Sequence, residues 1–213
     1  MISIIHPTRN RFKQAQETTN KWLSRADGNI EYILSVDLDD LNYKNSSIAF
    51  ISDNKSAIEA INNAAKKASG NIFIIISDDT DCPEHWDTLL LQALEGKSDF
   101  CAKTDDGLQP TLITMPIMDR IYYERYGYVY HPDFLHMHCD EELTCVALMT
   151  GKYIKLPITF LHNHYTTGKT EIDDINRKNN ATWAQGQKTL NEHAKNNFGI
   201  ENPVMRREDI IWK

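Results

Sequence analysis

Residues 72–86 read IFIIISDDTDCPEHW: five apolar residues run straight into three aspartates within four positions. The apolar run has the length and β-branched content of a buried strand. Its end does not look like an ordinary turn, because neighbouring carboxylates repel and the edge of a core raises the cost. Solvent, helix capping or a cation has to compensate. Asp81 begins a D-x-x-E pattern with Glu84, and Pro83 follows at a first-turn position, so a capping box accounts for Asp81. Asp78 and Asp79 are not explained that way. Strand alternation turns one towards the sheet and the other towards open space, where hard oxygen ligands suit Mg²⁺ or Mn²⁺.

Working outward, similar apolar runs alternate with helical patterns. ISIIH (from Ile2) precedes a stripe of Phe12, Ala15, Thr19, Trp22 and Leu23. YILSV (from Tyr32) and IAFI (from Ile48) are two further strands. SAIEAINNAAKKA (from Ser56) is a helix with a Ser56/Glu59 capping box, stopped by Ser69-Gly70. After the acidic stretch, Trp86, Leu89, Leu90, Ala93 and Leu94 form another helical face, ended by Gly96. The order β-α-β-β-α-β-α predicts an α/β, Rossmann-like fold: a mostly parallel central sheet with helices on both faces. Ligands of such sheets sit at the carboxyl ends of the strands. The loops HPTR, DLDD and DDTD all lie there.

The second half is less regular. TLITMPI (from Thr111) and the aromatic YYERYGYVYHPDF (from Tyr122) predict strands and loops. DEELTCVALM (from Asp140) predicts a short helix, PITFLHNH (from Pro157) one more strand, and the polar stretch from Asp173 a long terminal helix. The expected organisation is one domain over residues 1–170, its regular half ending at about residue 100. Residues 171–213 form a C-terminal helical extension.

Composition is that of a globular chain, with 41% hydrophobic and 25% charged residues in 213. The formal charge of −7 argues against non-specific binding to nucleic acid or anionic membrane, although Arg120, Arg125, Lys152, Lys155, Lys169, Arg177 and Lys178 could make a local basic groove. No apolar run reaches the roughly 18 residues of a membrane span. MISIIHPTRNR reads as a first strand and not as a signal peptide. Four scattered cysteines without a CxxC pair fit a reduced, cytoplasmic protein.

Histidines and acids supply further candidates. His162 and His164 in LHNHY are two apart, so an extended segment turns both to one side and towards a shared cation. Hydrogen-bonded surface histidines are the bland alternative. A zinc site from His131, His136, His138 and Cys139 matches no structural zinc spacing. Asp140, Glu141 and Glu142 open a helix, where the dipole favours negative charge. An acid there that also faces the cleft can act as a general base, and Asp140 is first in the run.

The ordered set ISIIHPTRNR, YILSVDLDD, IFIIISDDTDCPEHW, GYVYHPDFLHMHCDEEL and LHNHYTTGK resembles a family-2-type glycosyltransferase with the GT-A fold. The resemblance implies a nucleotide-sugar-binding half over about residues 1–100 and an acceptor-binding half over about 101–170, with Pro7, Thr8, Arg9 and Asp37 holding the nucleoside of a nucleotide sugar. It implies a D-x-D-type motif that binds Mn²⁺ or Mg²⁺ bridging the diphosphate. Ser77-Asp78-Asp79 aligns with it, which makes Asp79 the first candidate ligand and leaves Asp78 beside the donor. Asp79-Thr80-Asp81 also fits, with Asp81 second. His164 or His162 completes the metal site, Lys169 reaches the diphosphate, and Asp140 with the adjacent Glu141 occupies the place of the catalytic base. The implied reaction is inverting transfer from a nucleoside-diphosphate sugar, UDP-linked by family habit, to a hydroxyl acceptor such as a glycan.

Three rivals stand beside it. A virus-type enzyme glycosylating modified DNA bases is disfavoured by the acidic charge. A nucleotidyltransferase is disfavoured because HPTRNRFK lacks a glycine cluster. A nucleotide-sugar-binding module would keep the fold without the chemistry.

Overall fold

The computed structural model describes residues 1–44 and 46–212. The chain runs through β1 (Ile2–Thr8), α1 (Phe12–Ser24), β2 (Ile30–Asp37), β3 (Ala49–Ser52), α2 (Ala57–Ala65), β4 (Ile72–Ile75), β5 (Thr80–Asp81) and α3 (Trp86–Ala93). It continues through β6 (Cys101–Asp105), β7 (Ile117–Asp119), α4 (Arg120–Tyr126), α5 (Cys139–Met149), β8 (Tyr153–Thr159), β9 (Leu161–His162), α6 (Asp174–Asn180) and α7 (Trp183–Ala194).

Among the described residues, seven strands form one sheet in the order β3-β2-β1-β4-β7-β6-β8. Only β7 is reversed, pairing antiparallel with both β4 and β6. The sheet is therefore mixed and mostly parallel, as the apolar runs predict. β1 lies inside the sheet, next to the central β4, because both its faces are apolar: Ile2 and Ile4 pack on one side with Trp22 and Trp86, and Ile5 on the other with Ile58 and Phe73. Trp86 meets Trp22 and Phe160 edge-on at 5.1 and 6.3 Å, Trp22 and Phe160 lie tilted at 5.1 Å, and Trp86 Nε1 donates to the Trp22 carbonyl at 2.8 Å.

Several local expectations change. Helix α3 starts at Trp86 behind the left-handed His85 (φ 58°), so Asp81 and Pro83 lie outside it and the Asp81/Glu84 capping box does not form. The reason is competition: Asp81 finds Lys21 and Arg25, and Glu84 finds Arg25. TLITMPI yields strand only at its end, in β7, and Cys101–Asp105 adds a strand that periodicity did not single out. The tyrosine-rich segment begins as helix α4, capped by Asp119 accepting from Tyr122 N and ended by left-handed Gly127. Tyr122, Tyr123 and Tyr130 are core, at 1%, 7% and 5% exposure. They are therefore not free to stack on a sugar or a base. Buried Asn62 binds the backbone there, donating to the Tyr130 carbonyl at 2.7 Å and accepting from Val129 N at 2.9 Å.

PITFLHNH splits between β8 and β9, the latter pairing with β5 as a two-stranded ribbon. The polar tail forms two helices. Asp173 and Asn176 make a capping box for α6, while α7 sends Leu190 into the core with Leu143 and Phe134. Gly186 lets α7 cross the backbone just ahead of α5, since a Cβ built there would lie 2.1 Å from the Met137 carbonyl oxygen. Gly186→Ala is expected to lower the melting temperature. Overpacking costs about 1–3 kcal/mol, and a backbone neighbour puts this site at the upper end, beyond the roughly 1 kcal/mol that alanine gains in a helix. An unchanged or raised melting temperature would rule out the close crossing.

Candidate active site

The carboxyl ends of β1, β2 and β4 are adjacent in the sheet, so HPTR, DLDD and SDDTD meet. Pro7 and Thr8 end β1 with Thr8 buried, and Arg9 bonds Asp37, reaching Asp39 at 2.7 Å with its second nitrogen. Asn54 Nδ2 donates to the other Asp37 oxygen at 2.9 Å. Asp37 is thus fixed in place by groups from two loops.

The two aspartates after β4 part company as alternation predicts. Asp78 turns inwards: its Oδ1 meets His6 Nε2 at 2.9 Å, and Arg11 Nη1 lies 3.6 Å from Oδ2. His6 is fully buried, its Nδ1 against Tyr32 OH at 2.7 Å. Asp79 turns to the β5–β9 side, where its Oδ1 lies 3.3 Å from His162 Nε2 and accepts from Ser77 Oγ at 2.6 Å. Burial pushes the Asp79 carboxyl up, but the hydrogen bonds and charge of His162, with Ser77, hold it well below the usual carboxylate range. The ribbon register explains the pairing, since Thr80 sits opposite His162 and Asn163 N donates to the Asp79 carbonyl at 2.8 Å.

Asp81 is not brought into this group. Its oxygens meet Lys21 Nζ at 2.9 Å and Arg25 Nη1 at 2.7 Å, both on the α1 side. The His164 ring lies 5.1 Å from that of His162, and its Nδ1 bonds Thr166 Oγ1 at 2.9 Å. Lys169 is exposed, one residue beyond the left-handed Gly168.

The three acids opening α5 separate sharply. Glu141 pairs with His138 at 3.1 Å and faces Arg207 at 3.8 Å, while Glu142 pairs with His193 at 2.7 Å. Among the described residues Asp140 has no cationic partner, and its Oδ1 accepts only the Glu141 N–H, at 2.9 Å. Burial pushes its carboxyl up to about 6. His136, just ahead of α5, is half-buried near His164 and Arg11. Burial, then the charges of His164 and Arg11, push His136 down to about 4, and its buried Nδ1 has no partner among the described residues.

Several residues here were not singled out as site residues in the sequence. His6 lay inside an apolar run, and Arg11 acts across the chain, gripping Asp173 with two bonds at 2.6 and 2.7 Å while facing Asp78. HMHCDEEL did mark His136, but no residue spacing links it to His164. Four of the seven residues of the expected local basic groove are engaged by neighbours. Arg120 is spent on the Ala68 and Gly70 carbonyls, Arg125 and Lys152 both pair with Asp99, and Arg177 pairs with Asp174.

The strand order with its one reversed strand, and the acidic turn at the sheet's carboxyl edge, define the GT-A fold of glycosyltransferases. Solved structures with this fold include Staphylococcus aureus TarS and the Pyrobaculum calidifontis mannosyltransferase PcManGT, the latter in complex with GDP-Man and Mn²⁺. TarS is 14% identical over 76% of this chain and 36% of its own, with a TM-score of 0.58; PcManGT is 15% identical over 76% and 56%, with a TM-score of 0.59. A TarS fragment, residues 1–349, in complex with UDP-GlcNAc matches at 16% identity over 75% of this chain and 57% of its own, with a TM-score of 0.58. The chain thus spans about a third of the length of full TarS and just over half of PcManGT. At these identities the likeness is one of fold. No protein-family model matches the sequence, and no curated protein does. Among the described residues no helix is long and apolar enough to cross a membrane.

Proposed function

We propose that the protein is an inverting glycosyltransferase that moves a sugar from a nucleoside-diphosphate sugar, UDP-linked, to an acceptor hydroxyl. The observation that carries this reading is the division of labour among the acids at the carboxyl edge of a GT-A sheet. Asp79 stands against His162, and Asp140 stands half-buried without a cation.

A divalent cation of the Mn²⁺ or Mg²⁺ class fits Asp79 and His162. A carboxylate oxygen and an imidazole nitrogen 3.3 Å apart have the spacing of two ligands on one ion. Such an ion would offset the charge that builds on the leaving diphosphate. Asp81, neutralised by Lys21 and Arg25, is left out of the set, and His164 stands beside it. Asp78 keeps its place with His6 and Arg11, bracing the turn that presents Asp79. Arg9, Asp37 and Asn54, with Pro7 and Thr8, form the nucleoside side of the cleft.

Asp140 takes the proton from the acceptor hydroxyl as that oxygen attacks the anomeric carbon, on the face opposite the departing diphosphate. One displacement inverts the centre. A carboxyl held at about 6 is ionised at neutral pH yet basic enough to receive the proton. Glu141, paired with His138 and Arg207, positions the helix start. The module boundary near residue 170 belongs to this reading, with the tail braced on the domain through Arg11–Asp173.

The test is a thermal-shift panel of UDP- and GDP-sugars and their free diphosphates, with and without Mn²⁺. Stabilisation by UDP-sugars that needs the metal is expected, about 2.7 kcal/mol at a hundredfold excess over Kd. A response confined to GDP-sugars would replace the donor. No response to any member would sink the transferase reading.

A further inference from the structure

On the side of α5 away from Asp140, three side chains from two distant segments converge. His131 and Asp133 lie in the loop between α4 and α5, and His193 lies in the last turn of α7. Their ligand atoms fall within 4.8 Å of one another: His193 Nε2 is 3.1 Å from Asp133 Oδ2, and His131 Nδ1 is 3.7 Å from the same oxygen. Tetrahedral zinc with bonds of about 2.0–2.2 Å separates its donors by about 3.4 Å. The cluster is therefore already close to the size such an ion requires.

The second sphere is built as well. Glu142 is buried, 5% exposed, and its Oε2 lies 2.7 Å from His193 Nδ1. With Nδ1–H donated to Glu142, the Nε2 lone pair is left on the Asp133 side, the arrangement in which a carboxylate orients a metal-binding imidazole. His131 Nδ1 accepts the Asp133 N–H at 3.3 Å, a long bond that an ion at Nδ1 would replace. Both rings are held by aromatic edges, Tyr128 on His131 at 5.2 Å and Phe134 on His193 at 5.8 Å. Glu142 is two residues beyond Asp140, hence turned roughly 200° around the helix from it. The cluster is separate from the cleft.

We propose that His131, Asp133 and His193 bind a transition-metal cation of the zinc class, oriented by Glu142, which clips α7 to the loop that leads into α5. Two imidazoles and one carboxylate prefer zinc to the harder Mg²⁺ or Mn²⁺. The exposed side of Asp133 leaves a fourth position to solvent. Binding closes a chain loop between residues 131 and 193 and adds the ion's free energy to the docking of α7.

Co²⁺ is the probe, because a tetrahedral site gives strong visible d–d bands and a six-coordinate oxygen-rich site gives weak ones. The wild-type protein is expected to develop the strong bands at one Co²⁺ per chain, bleached by Zn²⁺, and to melt at higher temperature with Zn²⁺. Asp133→Asn, at an exposed position that the fold tolerates, and His193→Ala should abolish the bands, while Glu142→Gln should weaken Zn²⁺ binding about 10–100-fold. Asp79→Asn should leave the bands intact. Weak bands in the wild type, strong bands surviving in Asp133→Asn, or loss of the bands in Asp79→Asn would each overturn the proposal.

Discussion

Asp140→Asn is expected to lower sugar transfer by about 10²–10⁴-fold while leaving the binding of donor unchanged, and to make the protein more stable. The two effects have one cause. Burial raises the Asp140 carboxyl to about 6, above the roughly 3.9 of an unfolded aspartate. A folded-state value above the unfolded one means that the protonated form favours folding. That contribution is complete below about pH 4 and is lost as pH rises through about 6, so at neutral pH the ionised group works against the fold. Asparagine keeps the shape without the charge and returns on the order of 2 kcal/mol at pH 7, a gain that fades towards pH 4. Turnover runs the other way. The base works as the carboxylate, so wild-type kcat falls as pH drops through about 6, and the variant has no such limb. Chemical denaturation at two pH values and a pH–rate profile check both halves. Retained turnover with weakened donor binding would reassign Asp140 from base to binding group.

Asp79→Asn is the second large effect. Asp79 is the acid whose negative charge is already favoured by His162 and Ser77, so the structure holds it ionised. Removing the charge is expected to weaken Mn²⁺ binding in the presence of donor by at least about 100-fold, beyond the range of a loss in the second sphere. Transfer falls with it. Asp81→Asn is the matched comparison: its partners are Lys21 and Arg25, so it should leave the metal response intact. Isothermal titration of Mn²⁺ into protein with a nucleotide sugar separates the two variants. Equal losses in both would return Asp81 to the ligand set.

The first half of the chain shows how far local signals reach. Continuous apolar runs at Ile2, Tyr32 and Ile72 can only be strands buried on both faces, and the helices between them carry one apolar stripe each. Periodicity and burial are then the same fact, which is why the parallel sheet, its carboxyl edge and the acidic turn were legible. The second half lacked this redundancy. The tyrosines of YYERYGYVY carry hydroxyls and aromatic faces that suit a ligand as well as a core, and only their neighbours Phe73, Ile113 and Leu143 decide for the core.

At the site, the residue types came from the sequence: a pair of aspartates after an apolar strand, H-x-H near the end of the domain, and acids opening a helix. Their charges and spacing are local properties, and a strand that aims carboxylates at a sheet edge is visible without a partner. Which acid is free was decided only in three dimensions. Asp78 is taken by His6 from 72 positions away, Asp81 by Lys21 and Arg25, Glu141 by His138 and Arg207, and Glu142 by His193. Among the described residues, Asp140 remains without a cationic partner once those pairs form, and Asp79 is left to His162 alone. Electrostatic pairing and desolvation depend on distance through space, and the chain order of the residues does not encode it.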